Sequence, residues 1–220
     1  MYKRQVHRTN YGEIKIRSRK LGSKLVKDGY KPGDILATLA LNTHRHLEAY
    51  YGISGIGAIT HTLNFRLHPE QAVYIINHAE DKVIFVEAPF IPLLEALQDK
   101  IPSVEKFIVF CDKEEMPETS LKNCVSYEEY IEDGDDNFEW PKLPDDAACG
   151  LCYTSGTTGN PKGVLYSHKS TILHAISAAA PKTLKVQPDD SSLVVVPMFH
   201  VMAWGVPYYA PMYGIKIVMP

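Results

Sequence analysis

The sequence has no excess of basic residues: its 23 Lys and Arg stand against 26 Asp and Glu, which gives a net charge of −3. Proteins that bind nucleic acid usually carry a basic face or stripe, so this composition argues against a nucleic-acid partner. No N-terminal segment combines a basic start, an apolar core and a small-residue cleavage site, and no apolar run is long enough for a transmembrane segment. We therefore expect a cytoplasmic protein that binds a small molecule.

Cysteine is also scarce, with four residues in 220. Cys149 and Cys152 form a CxxC, but the surrounding residues AACGLCYT predict a β-strand, in which side chains three apart point to opposite faces. Two such sulfurs could not bind one zinc ion, and the nine histidines show no HExxH or similar ligand spacing. We expect reduced, buried thiols and no metal ligands in this chain.

Strand-like and helix-like segments alternate regularly along the sequence. Apolar residues of the segment 11–34 recur at helical spacing and end at Gly29 and Pro32, after which DILATLA predicts a buried strand. Further strands are predicted near AITHTLN, KVIFVE, EKFIVFC, AACGLCYT, GVLYSH, SSLVVVP and IKIVM, with helices between most of them, the last across residues 200–213. Continuous apolar strands alternating with helices are typical of an α/β fold in which helices cover both faces of a parallel-rich sheet.

The composition changes between residues 128 and 146, where nine acidic residues accompany a single base, Lys142. Such a run is most often a solvated linker or loop rather than a binding site. We therefore predict an N-terminal α/β subdomain over residues 1–131, an acidic linker or loop over 132–146, and the start of a second α/β subdomain over 147–220.

The segment YTSGTTGNPKG, residues 153–163, combines three glycines, four Ser and Thr hydroxyls, one proline and one lysine. Glycines leave backbone N–H groups uncovered, hydroxyls add donors and the lysine adds positive charge, so the segment suits a phosphate group. It is not a Walker A loop, because Pro161 stands in place of the second glycine, and it is not a G-x-G-x-x-G loop. A plain flexible turn has no need of four hydroxyls and a lysine, so we predict a phosphate-binding loop.

The segment YTSGTTGNPKGV resembles the signature loop of the adenylate-forming (AMP-binding) superfamily, which includes acyl- and aryl-CoA synthetases, nonribosomal adenylation domains and luciferases. Residues 33–87 resemble the N-terminal subdomain of those enzymes, and VVPMFHVMAWGVPYY resembles the following segment in their fatty acyl-CoA synthetase branch. Residues 1–10 do not resemble the family's start, and the segments for adenine, magnesium and the C-terminal lysine are expected beyond Pro220. The chain is therefore interpreted as an N-terminal partial chain of such an enzyme.

The resemblance implies ATP-dependent activation of a medium- or long-chain fatty acid to an acyl-adenylate and then to acyl-CoA. Fatty acid, ATP and coenzyme A would be the substrates and Mg²⁺ a cofactor, with a homodimer left open and the fragment alone expected to be inactive. The alternative within the superfamily is an aryl-acid or other carboxylate–CoA ligase. A nucleotide-binding module without catalysis is the alternative outside it.

The resemblance also implies roles for individual residues. His200 would lie near the adenylate as a catalytic and substrate-binding residue, and Trp204 would line the acyl channel. Without the resemblance, a helix across MFHVMAWG places this His and Trp on one face, where the plainer interpretation is a packed core pair. Phe65 stands where the family more often has proline, and we expect that change to alter only a turn. The residues expected to bind ATP are Thr154, Ser155, Gly156, Thr157, Thr158, Gly159 and Lys162.

Overall fold

The computed structural model describes residues 6–154 and 160–220. In that part of the chain, helices and strands alternate along most of the sequence. The helices are α1 (Tyr11–Lys27), α2 (His44–Gly55), α3 (Pro69–Ala79), α4 (Ile91–Leu97), α5 (Tyr127–Ile131), α6 (His168–Ala179) and α7 (Val206–Met212). The strands are β1 (Ile35–Leu39), β2 (Ile59–Thr62), β3 (Val83–Val86), β4 (Lys106–Val109), β5 (Cys124–Ser126), β6 (Ala148–Thr154), β7 (Lys162–Ser167), β8 (Ser191–Leu193) and β9 (Lys216–Val218).

Seven of these strands form one sheet in the order β5–β4–β3–β1–β2–β6–β7. Neighbouring strands are parallel throughout this sheet except for β6 and β7, which are antiparallel. The strands β8 and β9 pair in parallel as a separate two-stranded sheet. The predicted α/β fold with parallel-rich sheets and covering helices is therefore confirmed.

The large sheet buries apolar side chains on both faces. Successive residues of β3 alternate between them: Phe85 packs with α1, α2 and α5, whereas Ile84 and Val86 pack with α3 and α4. A strand that is buried on both faces needs apolar residues at every position, which explains the continuous run KVIFVE. The two layers of helices therefore follow from the same pattern that predicted the strands.

Local sequence signals set the ends of the helices. Asn10 caps α1, because its Oδ1 accepts the Glu13 N–H at 3.0 Å while Glu13 Oε2 accepts the Asn10 N–H at 3.3 Å. The helix ends two residues before Gly29, whose φ of +92° lies in the left-handed region. In α3 the first residue is Pro69, as the sequence predicts.

The acidic segment 132–146 contains no helix or strand, but part of it packs on the core. The rings of Phe138 and Trp140 lie against the apolar cluster between the sheet and α1, α2 and α5. Strand β6, which follows this segment, pairs with β2 in the large sheet. The sheet therefore includes strands from both sides of the segment, and the division into subdomains 1–131 and 147–220 stays a prediction.

Helix α1 has 17 residues, carries charged side chains along its length and packs on α2 and α5. Within residues 6–154 and 160–220, no helix has the length and apolar character needed to cross a membrane.

Candidate functional site

The carboxyl ends of β1, β2 and β6 lie side by side, because these three strands are parallel neighbours. Strand β6 ends at Thr154, the first hydroxyl of the predicted phosphate-binding loop. In open α/β sheets, ligands bind outside the carboxyl ends of the strands. The topology therefore brings the start of the loop to the edge where a ligand is expected.

Thr154 and Lys162 face each other as the pair that closes the β6–β7 ladder. Both residues are exposed, and the Thr154 hydroxyl donates only a long hydrogen bond, 3.4 Å, to the Lys162 carbonyl. Lys162 forms no ion pair with another residue that the structure describes. Five of the predicted ATP-binding residues lie outside the described residues: Ser155, Gly156, Thr157, Thr158 and Gly159.

Two polar side chains at this edge hold the segment 194–199 over the strand ends. Asn42, three residues beyond β1, donates from Nδ2 to the carbonyls of residues 194 and 196, at 2.9 and 3.0 Å. Its Oδ1 accepts the Met198 N–H at 2.7 Å, and the Thr62 hydroxyl donates to the Phe199 carbonyl at 3.1 Å. Neither residue was predicted from the sequence, where the only signal was a polar side chain at or just beyond the end of a buried strand.

The predicted helix across residues 200–213 is wrong in its first half. Residues 201–204 all have φ between 47° and 53°, and they form one left-handed turn before α7 begins. A long-range contact accompanies this turn: Met202 packs over Gly150 of β6, where an added Cβ would lie 3.0 Å from the Met202 Cε. Packing on a distant strand therefore decides the backbone here, which helical spacing of apolar residues could not reveal.

The left-handed turn predicts an unusual response to glycine at Val201, which is 40% exposed. Left-handed backbone costs an L-residue about 1–2 kcal/mol, whereas glycine adopts it freely. We expect Val201→Gly to exceed Val201→Ala in free energy of unfolding by about 1 kcal/mol, measured with urea. A right-handed helix would reverse this order by about 1 kcal/mol, so a more stable alanine variant would contradict the turn. Ile176 in α6 is the control, where alanine should be the more stable of the two.

His200 and Trp204 both lie at the surface of the described structure. Trp204 is 59% exposed, its carbonyl oxygen lies 3.2 Å from His174 Nε2, and His200 is also exposed. The interpretation of these two residues as a packed core pair is therefore wrong. Exposure beside the strand ends is what contact with a ligand requires, and their roles toward the substrate stay predictions.

Phe65 does more than alter a turn, so that expectation is wrong. Its ring stacks on Phe90 with 4.9 Å between centroids and meets Phe199 edge-on at 4.8 Å. The Arg66 guanidinium lies 5.7 and 5.9 Å from the rings of Phe65 and Phe199, within the range of cation–π attraction. This aromatic cluster joins the loop after β2 to the residue that precedes His200.

The sulfurs of the CxxC have separate partners. Cys149 Sγ lies 3.3 Å from the Thr171 hydroxyl on α6, and Cys152 Sγ lies 3.3 Å from the Thr62 hydroxyl on β2. Burial raises the pKa of both thiols, which favours the uncharged form. All four cysteines are free, and the described residues include no group of three His, Cys, Asp or Glu that could hold a metal ion.

Two cavities lie apart from the candidate residues. A polar cavity of ≈ 320 Å³ has Arg17 and Glu128 in its wall, and a more apolar one of ≈ 730 Å³ has Trp140 and Tyr208 in its wall. The described candidate residues Thr154, Lys162, His200 and Trp204 line neither cavity.

Comparison with known proteins gives a consistent assignment. The family model for AMP-binding enzymes matches residues 1–220, the whole chain. A medium-chain-fatty-acid–CoA ligase from Ectopseudomonas oleovorans is 48% identical over 216 residues, which cover 98% of this chain and 40% of the relative. A 3-methylmercaptopropionyl-CoA ligase from Ruegeria lacuscaerulensis is 48% identical over 215 residues, with coverage of 98% and 40%. The chain thus spans about 40% of the length of these curated relatives.

A solved structure shows the same fold. The inhibitor-bound N-terminal domain of FACL13 from Mycobacterium tuberculosis matches with a TM-score of 0.82 and 27% identity, over 96% of this chain and 50% of that one. The family match covers the whole sequence, and β6 ends at the start of the glycine-rich segment, at the edge where open α/β sheets bind ligands. The chain belongs to the family of AMP-binding enzymes.

Proposed function

We propose that this chain is the N-terminal part of an ATP-dependent fatty acid–CoA ligase. The observation that carries this proposal is the glycine- and hydroxyl-rich segment with its exposed lysine, which begins at the carboxyl end of a parallel strand. The high identity to a relative named as a medium-chain-fatty-acid–CoA ligase supports the substrate class. Because the chain spans only part of that relative, the activity concerns the complete protein.

The proposed reaction has two steps. A carboxylate oxygen of the fatty acid attacks the α-phosphorus of ATP, the bond to the bridging oxygen of the β-phosphate breaks, and pyrophosphate leaves the acyl-adenylate. The thiol of coenzyme A then attacks the acyl carbon, and AMP leaves as the acyl-CoA thioester forms. Negative charge grows on the leaving pyrophosphate in the first step, so donors and positive charge beside the β- and γ-phosphates lower the barrier.

Thr154 and Lys162 are the described residues that suit this task. The Thr154 hydroxyl gives up only a long hydrogen bond when it turns to a phosphate oxygen, and the Lys162 ammonium group adds positive charge next to it. In the proposal, the segment 155–159 adds further hydroxyl and backbone N–H donors. Mg²⁺ bound with ATP would neutralise phosphate charge, and we assign no Mg²⁺ ligand to the described residues.

His200 and Trp204 are proposed to contact the adenylate and the acyl chain, respectively. Both follow the segment 194–199, which Asn42 and Thr62 hold over the strand ends. The indole of Trp204 is a large apolar surface that is more than half exposed, so it offers a wall to an apolar substrate. The ring nitrogens of His200 offer a hydrogen bond to the substrate carboxylate, or to the α-phosphate to which that carboxylate is bonded in the acyl-adenylate.

Another carboxylic acid is the second candidate substrate. The relative from Ruegeria, named for 3-methylmercaptopropionate, is as similar to this chain as the medium-chain enzyme. We also infer a cytoplasmic location, which the free and mostly buried thiols favour because disulfides are rare in that compartment. Homodimer formation stays a prediction.

The function is tested by pyrophosphate exchange in the complete protein with a panel of carboxylic acids. We expect ATP–pyrophosphate exchange that depends on saturated fatty acids and is weaker with 3-methylmercaptopropionate and with aryl acids. Selective exchange with a short or aromatic acid would transfer the assignment to another carboxylate–CoA ligase. Absence of exchange with every acid would contradict the enzymatic assignment.

The Trp204→Ala variant tests the acyl assignment in the same panel. A methylene is worth about 0.8 kcal/mol when fully buried, so loss of an apolar wall should change relative kcat/KM across several chain lengths. ATP affinity should stay unchanged, and stability should fall little because the side chain is 59% exposed. Leu193→Ala, at a residue that is 57% exposed, is the control. An unchanged chain-length profile would mean that Trp204 does not line the acyl channel.

A further inference from the structure

A carboxylate and an imidazole are completely buried beside β6, the strand that leads into the phosphate-binding loop. Asp81 and His61 are each 0% exposed, and His61 Nδ1 lies 2.9 and 2.8 Å from the two carboxylate oxygens of Asp81. Asp81 follows α3, where its N–H donates to the carbonyl of residue 76 and Glu80 adopts a left-handed φ of 58°. The end of α3 therefore fixes the position of the carboxylate.

The stability of the fold alone does not explain the Asp81–His61 pair. Burial raises the pKa of Asp81, and His61 only partly offsets that effect. A buried carboxylate is costly to keep away from water even when it has a hydrogen-bonding partner, and apolar side chains of the same volume often stabilise a fold equally well. Among the described residues, His61 Nε2 has no hydrogen-bond partner, so Asp81 alone orients the imidazole through a hydrogen bond. The arrangement is therefore better suited to fixing a ring than to holding the fold together.

The ring that His61 contacts is Tyr153, the first residue of the glycine-rich segment. The two ring centroids are 5.1 Å apart with 46° between the planes. The Tyr153 hydroxyl lies 2.6 Å from Nδ1 of His78 on α3. On the facing strand, a Cβ added to Gly163 would lie 3.2 Å from Tyr153 Cζ. Contacts with His61, His78 and the backbone of Gly163 thus hold the ring on three sides.

The position of Tyr153 bears directly on the residues proposed to bind ATP. Tyr153 pairs with Gly163 across the β6–β7 ladder, and the next pair is Thr154 with Lys162. A rotated Tyr153 ring would press on the backbone at Gly163 and shift the adjoining pair. The orientation of the His61 ring is therefore transmitted through one side chain to both ends of the loop.

We propose that the buried Asp81–His61 pair is a positioning element for the nucleotide-binding loop, acting through the ring of Tyr153. This inference rests on the proposed function in that ATP is taken as the ligand of the loop. Asp81 and His61 are positioning residues and touch no substrate. Their loss should weaken ATP binding and leave the binding of the fatty acid and of coenzyme A unchanged.

Asp81→Asn tests the proposal in the complete protein, because asparagine has the same shape but replaces one of the two oxygens that contact His61 Nδ1 with an NH2 group. We expect the KM for ATP in pyrophosphate exchange to rise about 3- to 30-fold, with the KM for fatty acid unchanged. The dissociation constant for ATP, from equilibrium titration without acid, should rise by the same factor. A purely structural role would lower the melting temperature and the amount of active enzyme, and would leave the KM for ATP unchanged.

Thr38→Val is the matched control. It removes the partner of a second completely buried histidine, His46, whose Nε2 lies 2.9 Å from the Thr38 hydroxyl. Thr38 and His61 belong to opposite faces of the sheet, because His61 pairs with Ala37 in the register of β1 and β2. We expect Thr38→Val to lower stability without changing the KM for ATP. An equal rise in the KM for ATP in both variants would overturn the proposal.

Variants of Tyr153 test the link through its ring separately. They also test the proposal if Asp81→Asn fails to fold. Tyr153→Leu removes the ring and should raise the KM for ATP, whereas Tyr153→Phe keeps the ring and should retain most of the ATP affinity. In the Tyr153→Leu background, Asp81→Asn should have no further effect on the KM for ATP. Additive effects of the two substitutions, or equal losses in Tyr153→Phe and Tyr153→Leu, would overturn the proposed route.

The positioning role and the proposed function can fail independently. If the complete protein binds ATP but activates no carboxylic acid, the ligase assignment fails, while titration with ATP still tests the Asp81–His61 pair. If fatty acids are activated and Asp81→Asn leaves both the KM and the dissociation constant for ATP unchanged, the ligase assignment stands and the positioning role is refuted.

Discussion

Replacing Arg17 with alanine is expected to lower the free energy of unfolding of the complete protein by about 3–5 kcal/mol, the range found when one partner of a buried ion pair is removed. Arg17 Nε lies 2.8 Å from Glu48 Oε1, and the Glu48 side chain is 0% exposed. The same guanidinium also donates to both carboxylate oxygens of Glu128, at 3.0 and 2.7 Å. The substitution would leave the Glu48 carboxylate buried without its partner, and urea unfolding measures the cost.

The pH dependence of this effect follows from the pKa of Glu48. Burial raises that pKa, and Arg17 counteracts the rise. Without Arg17 the pKa in the folded state rises further above the unfolded value. The folded state then keeps its proton more readily, so the destabilisation is full above the raised pKa and disappears as the pH falls to the unfolded value of about 4.3.

The control for this prediction is Glu48→Gln, which removes the charge and keeps the shape. The double variant Arg17→Ala with Glu48→Gln should be more stable than Arg17→Ala at pH 7, because a neutral amide costs less to bury than a carboxylate. A loss below about 1 kcal/mol in Arg17→Ala would mean that this ion pair behaves like one exposed to solvent. Equal destabilisation at pH 7 and at pH 4.5 would also contradict the explanation.

The sequence predicted six of the seven strands of the large sheet because their signals are local, and it missed β5, which has only three residues and so shows no apolar run. Buried parallel strands need continuous apolar runs, such as KVIFVE in β3, and helices start and stop at residues such as Asn10, Pro69 and Gly29. The phosphate-binding role of the segment 153–163 stays a prediction, and it rests on local chemistry alone, because glycines, hydroxyls and a lysine within a few residues of one another indicate an anion site. These features depend on neighbours in the sequence.

The remaining features depend on contacts between distant residues. The left-handed turn at 201–204 follows apolar spacing that is typical of a helix, yet Met202 packs on Gly150 more than 50 residues earlier. Asn42 resembles any polar residue after a strand until its amide meets carbonyls of residues 194 and 196. The pairing of His61 with Asp81 likewise depends on how α3 returns to the sheet. Local propensity has no access to such pairings, so the supports of the site could not be predicted.

Lys162→Ala is expected to lower kcat/KM for ATP-dependent fatty acid activation. The expected loss of transition-state stabilisation is about 1–3 kcal/mol, the range for a lost hydrogen bond to a charged group. The physical reason is that the variant loses the ammonium group of an exposed lysine at the end of the loop that is proposed to bind phosphate. Pyrophosphate exchange with a saturated fatty acid measures the effect. The free energy of unfolding should change little, because an exposed side chain without an ion pair among the described residues contributes little to stability.

Two controls separate the charge of Lys162 from its position. Lys162→Arg keeps a positive charge but replaces a compact ammonium with a planar guanidinium, so it should recover only part of the lost rate. Lys169→Ala removes an exposed lysine at the start of α6, outside the loop, and should leave exchange unchanged. If Lys162→Ala and Lys169→Ala reduced exchange equally, general surface charge would be responsible. If neither variant changed exchange, Lys162 would have no contact with the phosphates in the rate-limiting transition state, and the loop would have to act through its hydroxyl and backbone donors.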